Sequence, residues 1–201
     1  MSNTIDTPMT IDDTDLARAQ EYALLANLLA RSPNDDMLAR IALLRDDASE
    51  LGLAHAKLAE SAAKTTSEIV LREYFDLFSG LGKNGLLPYA SYYVAASLYG
   101  RPLSRLRETL QELGIARSDA NTEPEDHAAT FCEIMAGMAN GDIKVSSAFH
   151  REFFEEQVAP WIRRFFTDLE KSSVAKFYAR VGMVGRIFMD IEAKAFKLQS
   201  F

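Results

Sequence analysis

The chain predicts an all-α fold, a compact globular bundle of about nine to ten helices. Three observations carry that reading. Apolar residues recur at spacings of three and four along most of the 201 residues, the period of one helix face. No stretch alternates apolar and polar with period two for long enough to make a strand. Gly, Pro, Ser and Asn cut the chain into pieces of ordinary helix length. No internal repeat is present.

The elements follow in order. Residues 1–13 are polar and acidic and read as a flexible N-terminus. Thr14 and Asp15 can cap a first helix that carries Leu16, Ala19, Ala23 and Ala26 and runs to Ala30. Ser32-Pro33 stops it, and Asn34-Asp35 opens a helix with Met37, Leu38, Ile41 and Leu44. Gly52 is expected to break that run before an Ala-rich helix, Leu53 to Ala63. A helix after Ser67 places Tyr74, Leu77 and Phe78 on one face, with Glu73 and Asp76 flanking it. Ser79 to Gly85 holds three glycines and reads as a loop. Leu86 to Ser91 leads into an aromatic helix with Tyr92, Tyr93, Leu98 and Tyr99, ended by Gly100. Pro102 starts the next helix, striped by Leu103, Leu106, Leu110 and Leu113 and capped by Gly114.

Residues 115–122 form a polar connector, the expected boundary between two lobes, 14–114 and 123–201, of one helical domain. Pro124 is then expected at the first helical position, with Glu125 and Asp126 in the first turn, favoured by the helix dipole. The helix that follows is apolar on nearly every side through Asn140-Gly141, so it should lie buried at the centre. Phe149, Phe153, Phe154 and Val158 mark another helix, interrupted at Ala159-Pro160-Trp161 and resumed by Ile162, Phe165, Phe166 and Leu169. A last helix is expected from Ser172 or Ser173, its stripe running Val174, Phe177, Val181, Val184, Phe188, Ile191, Ala195, Leu198.

Bulk properties narrow the function classes. Hydrophobic content is 48%, charged content 25% and net charge -7. An acidic chain lacks the basic footprint that nucleic acid requires and suits a basic partner instead, such as an arginine-bearing peptide. Cys132 is the single cysteine, so no intrachain disulfide forms and a reducing compartment is expected. No leader pattern and no run of about 18 apolar residues is present, which reads as a cytoplasmic protein without membrane insertion.

Asp126-His127 at the junction of loop and buried helix reads two ways. It is either an acid beside an imidazole, available for chemistry, or a helix start with a packed histidine. Cys132 lies about 140° round the helix from His127, so the two do not make a nucleophile pair. His55, His127 and His150 are scattered without ligand spacing, and no metal site is expected. Gly80, Gly82 and Gly85 follow no strand and precede no Gly-Lys-Ser/Thr, so they are not a phosphate loop. Tyr74, Leu77, Phe78, Pro88, Tyr89, Tyr92 and Tyr93 fit either a core or a peptide groove, because a tyrosine joins an apolar body to a polar tip.

Three motifs in order, Tyr74-Phe75-Asp76-Leu77-Phe78-Ser79-Gly80, Pro88-Tyr89-Ala90-Ser91 and Glu123-Pro124-Glu125-Asp126-His127, resemble the signatures of the TorD/DmsD family of redox-enzyme maturation chaperones. Residues 149–170, with Pro160-Trp161 inside, resemble its C-terminal region, and the likeness covers about residues 15–198. The resemblance implies an all-α cytoplasmic chaperone, not an enzyme. It would bind the twin-arginine signal peptide and the apo catalytic subunit of a molybdoenzyme until the molybdopterin cofactor is inserted. Its peptide-binding surface would include Tyr74, Leu77, Phe78, Pro88, Tyr89, Ser91, Glu123, Pro124, Asp126 and His127. No cofactor of its own is implied beyond the weak guanine-nucleotide binding of some members, and the state is a monomer or a dimer swapped through the connector. Tyr89 departs from the pattern, since relatives often carry tryptophans there. The alternatives are a nucleotide hydrolase using Asp126 and His127, and a scaffold in which that pair only caps a helix.

Overall fold

The structure is a computed structural model that describes residues 10–45, 47–79, 85–96, 98–115 and 123–198. Among them are ten α-helices and one π-helical turn: α1 Asp13–Ala30, α2 Asp35–Ile41, α3 Glu50–Ala63, α4 Ser67–Phe78, α5 Ala90–Ala95, α6 Arg101–Glu112, α7 Ala128–Ala139, α8 Ser147–Phe153, the π turn Phe154–Val158, α9 Ile162–Lys171 and α10 Phe177–Leu198. No strand occurs among the described residues, and the expected all-α bundle is what forms. The N-terminal segment 1–9, Gly80 and Gly82 of the glycine loop, and connector residues 116–122 lie outside the described residues.

The helices gather into two compact units, each drawn from both sides of the connector. The first comprises residues 1–26 and 89–162, the second residues 27–88 and 163–201. In the first, α7 is the buried centre that its sequence predicts, with Phe131, Cys132, Ile134, Met135 and Met138 all inside. Trp161 packs edge-on to Phe131, ring centroids 5.4 Å apart, and its indole N–H donates to the Gln157 carbonyl at 2.9 Å. That carbonyl belongs to the π turn, where the Ala159 N–H reaches back five residues to Phe154 O. The break anticipated around Pro160 is thus a π bulge followed by a turn.

In the second unit α3 and α4 pack on α10. Gly182 and Gly185 let α9 come close: a Cβ at 182 would sit 2.4 Å from the Glu170 nitrogen, and one at 185 would sit 2.3 Å from the Phe166 ring.

Several expected boundaries are corrected. Gly52 does not break a helix; it lies in the first turn of α3, where Ser49 caps its N–H at 3.0 Å and Asp47 leaves no room for a side chain. The aromatic helix α5 ends at Ala95, because Ala96 turns left-handed at φ 52, and Leu98 and Tyr99 fall beyond it. α7 begins at Ala128, not at Pro124, because the His127 imidazole is its cap. α10 begins at Phe177, not at Ser172 or Ser173, because the Glu73 carboxylate accepts the N–H groups of Lys176, Phe177 and Tyr178. Its buried stripe then runs Phe188, Glu192, Phe196, leaving Ile191 and Leu198 exposed. A step of four keeps phase with the core where the expected step of three had moved off it.

Candidate functional site

Two of the three motifs meet in the first unit. Tyr89 and His127 form an isolated antiparallel bridge, their rings edge to face at 5.4 Å. The Ala90 N–H donates to the Asp126 carbonyl at 2.9 Å, and the Ser91 N–H to the Asp126 Oδ2 at 2.9 Å. Asp126 is therefore the acceptor for the first turn of α5, a helix far from it in sequence, and not for its own. It is 1% exposed and Ser91 is fully buried. The polar loop folds this way because Pro124 O accepts the His127 N–H in a tight turn, which aims Asp126 inward and leaves Glu123 and Glu125 towards the rim.

His127 is 8% exposed, and its Nδ1 accepts the Ala129 N–H at 3.1 Å. Burial pulls its pKa down to about 4, against the opposing charges of Glu123 and Asp126. The imidazole is thus neutral near pH 7 and carries its proton on Nε2. Asp126 and His127 serve different helices and make no acid–base couple. Burial also pushes the Cys132 thiol far up, so it is no nucleophile.

At the rim, the Tyr89 hydroxyl donates to Glu123 Oε2. Burial first, then that bond, raises the phenol's pKa, so the group stays a donor. Glu125 holds Arg107 of α6 by two parallel bonds, Nε–Oε1 at 3.1 Å and Nη2–Oε2 at 2.9 Å. Beside this wall a cavity of about 600 Å³ has Ala90, Val94, Phe131 and Pro160 on its apolar lining. Arg101 and Arg105 also line it, and Arg105 pairs with Glu156.

The other named residues belong to the second unit. Leu77 is fully buried and Pro88 is buried too. Tyr74 is half-buried, donates its hydroxyl to Leu29 O at 3.1 Å and packs on Phe78 and Tyr178 with centroids 5.0 and 5.7 Å away. Leu77 is core in its own unit, Tyr74 and Phe78 are half-buried, and the exposed aromatic of the motif is Phe75, at 57%. Sequence reasoning missed two first-unit residues. Arg107 carries no motif. Tyr99 is 71% exposed, close enough to Tyr89 to influence its titration, and left-handed at φ 62, a strained conformation for an aromatic. Among the described residues no group of three His, Cys, Asp or Glu is arranged to hold a metal. No helix there is long and apolar enough to cross a membrane.

A family model described as nitrate reductase delta subunit matches residues 44–167. The chain belongs to that family. Within it stand the TorD and DmsD chaperones, as the motifs implied, and the class is one of chaperones and not enzymes. The chaperone protein TorD of Aliivibrio salmonicida is 26% identical over 149 residues, 69% of this chain and 69% of its own length. That of Vibrio atlanticus is 24% identical over 132 residues, 61% of each chain. A protein of Haemophilus influenzae assigned as the Tat proofreading chaperone DmsD is 26% identical over 132 residues, 65% of this chain and 63% of its own. A crystal structure from Archaeoglobus fulgidus, assigned as a redox enzyme maturation protein, shares the fold with a TM-score of 0.58 at 20% identity, over 92% of this chain and 99% of that one.

Proposed function

We propose that this TorD/DmsD-family chain is a cytoplasmic chaperone for an exported molybdopterin oxidoreductase. It binds the twin-arginine signal peptide and the apo catalytic subunit, and releases them once the cofactor is in place. The observation that carries the reading is the first-unit wall, in which Tyr89 and Ser91 are hydrogen-bonded to the Glu123–His127 segment next to an apolar cavity. Rim carboxylates suit guanidiniums, and an apolar cavity of this size suits the signal peptide's apolar stretch. Binding of this kind makes and breaks no covalent bond, in keeping with a neutral His127 and a buried Asp126 whose hydrogen bonds are structural.

Calorimetric titration of the full chain with a twin-arginine signal peptide and with its Lys-Lys variant tests the reading. Micromolar binding of the first and weaker binding of the second is expected, because an ammonium cannot make the two-bond fork. Absence of binding by both peptides at micromolar concentration sinks it.

A further inference from the structure

We infer that Glu125 is the carboxylate that receives a client's guanidinium, and that Arg107 holds its place until the client arrives. The inference rests on the proposed function and assigns a receptor to it. Of the three acids between positions 123 and 126, two have other duties. Asp126 is buried and holds the start of α5, and Glu123 takes the Tyr89 hydroxyl. Glu125 already displays guanidinium recognition, since both its oxygens engage Arg107 in a parallel fork.

The two halves of this pair differ in a way that favours exchange. The Glu125 side chain is 13% exposed and sits on the turn closed by Pro124 and His127, so the receiving half is fixed. The Arg107 side chain is 52% exposed and reaches in from α6 on a flexible stem, so the leaving half is mobile. Arg107 feels both acids, first through its bonds to Glu125 and less through the charge of Asp126, and both hold it further above its usual range. Swapping one guanidinium for another never leaves the largely buried carboxylate bare, which would cost desolvation without return. It also selects for Arg over Lys, because the fork matches only a planar donor pair.

The test titrates wild type, Arg107→Gln, Arg107→Lys and Glu125→Gln with the Arg-Arg and Lys-Lys peptides, with thermal melts beside each titration. Arg107→Gln should bind the Arg-Arg peptide about two- to fivefold more tightly, the range for releasing a partly exposed ion pair. Arg107→Lys should fall between it and wild type. Glu125→Gln should lose the preference for Arg over Lys; if it fails to fold, the Arg107 variants decide alone. If wild type binds the Arg-Arg peptide and Arg107→Gln binds it equally or less well, the placeholder falls and the chaperone reading stands. An equal gain for the Lys-Lys peptide also overturns it, because that is general charge relief. If neither wild type nor Arg107→Gln binds, both ideas fall together.

Discussion

Asp126 shows how far a single residue can sit from the role its motif suggests. Beside His127 in sequence it looks like an acid offered to a partner, yet its carboxylate is buried against the Ser91 N–H, 35 positions away. Asp126→Ala should therefore lower folding stability by about 1.5–3 kcal/mol, the usual loss for a hydrogen bond to a charged acceptor. Asp126→Asn, which keeps one acceptor oxygen, should lose less. Urea unfolding of the two variants checks this, and an unchanged midpoint for Asp126→Ala would remove the cap assignment. At this scale the motifs found Tyr89, Ser91, Asp126 and His127, because those residue types stand together in short segments. They did not find Arg107. Its partner Glu125 lies 18 positions on, and an arginine on the exposed face of α6 reads as ordinary solvated charge. Tyr99 was equally silent, since nothing in a tyrosine beside Gly100 announces a left-handed backbone.

Helices were legible as elements, and several of their ends were not. Periodicity finds a buried face, and a local cap such as Asn34 marks a start that can be read nearby. The start of α10 depends instead on Glu73, 103 positions upstream of Lys176. Its buried carboxylate accepts at 2.7, 3.2 and 2.7 Å from three consecutive N–H groups, at the positive end of the helix dipole. From sequence Glu73 is merely a charge beside an apolar stripe. Glu73→Ala should cost about 2–3 kcal/mol in unfolding free energy, since it strands buried donors as well as losing the dipole contact. Amide exchange at Lys176, Phe177 and Tyr178 should quicken ahead of the rest of α10. If those amides stay as protected as in wild type, another group caps the helix. The tight seat of Gly182 and Gly185 against α9 was hidden for a related reason: a glycine in a helix states a cost, not the neighbour that requires it.

For the whole molecule, composition and period gave the class, all-α and acidic, while the interleaving of distant segments into two units has no signature in either. One property of the whole does follow from residues already placed. His127 and His150 are both buried and uncharged, with pKa values pulled down to about 4 and about 3. Burial leads in both cases; Glu123 and Asp126 oppose it at His127, and Arg18 reinforces it at His150. In the unfolded chain each titrates near about 6.5. As pH falls below that value the unfolded chain takes up protons that the folded one refuses, so stability is fully present above about 6.5 and drains away down to about 4 for His127 and about 3 for His150. Between pH 7 and pH 5 the loss should be about 2 kcal/mol for each histidine. His127→Asn keeps an oxygen to cap α7 and removes one titrating group, so its stability should fall about half as far over the same interval. Urea midpoints at the two pH values, for wild type and variant, measure the difference directly. Equal losses in the two proteins would mean that His127 takes its proton as readily folded as unfolded, and that its burial does not hold in solution.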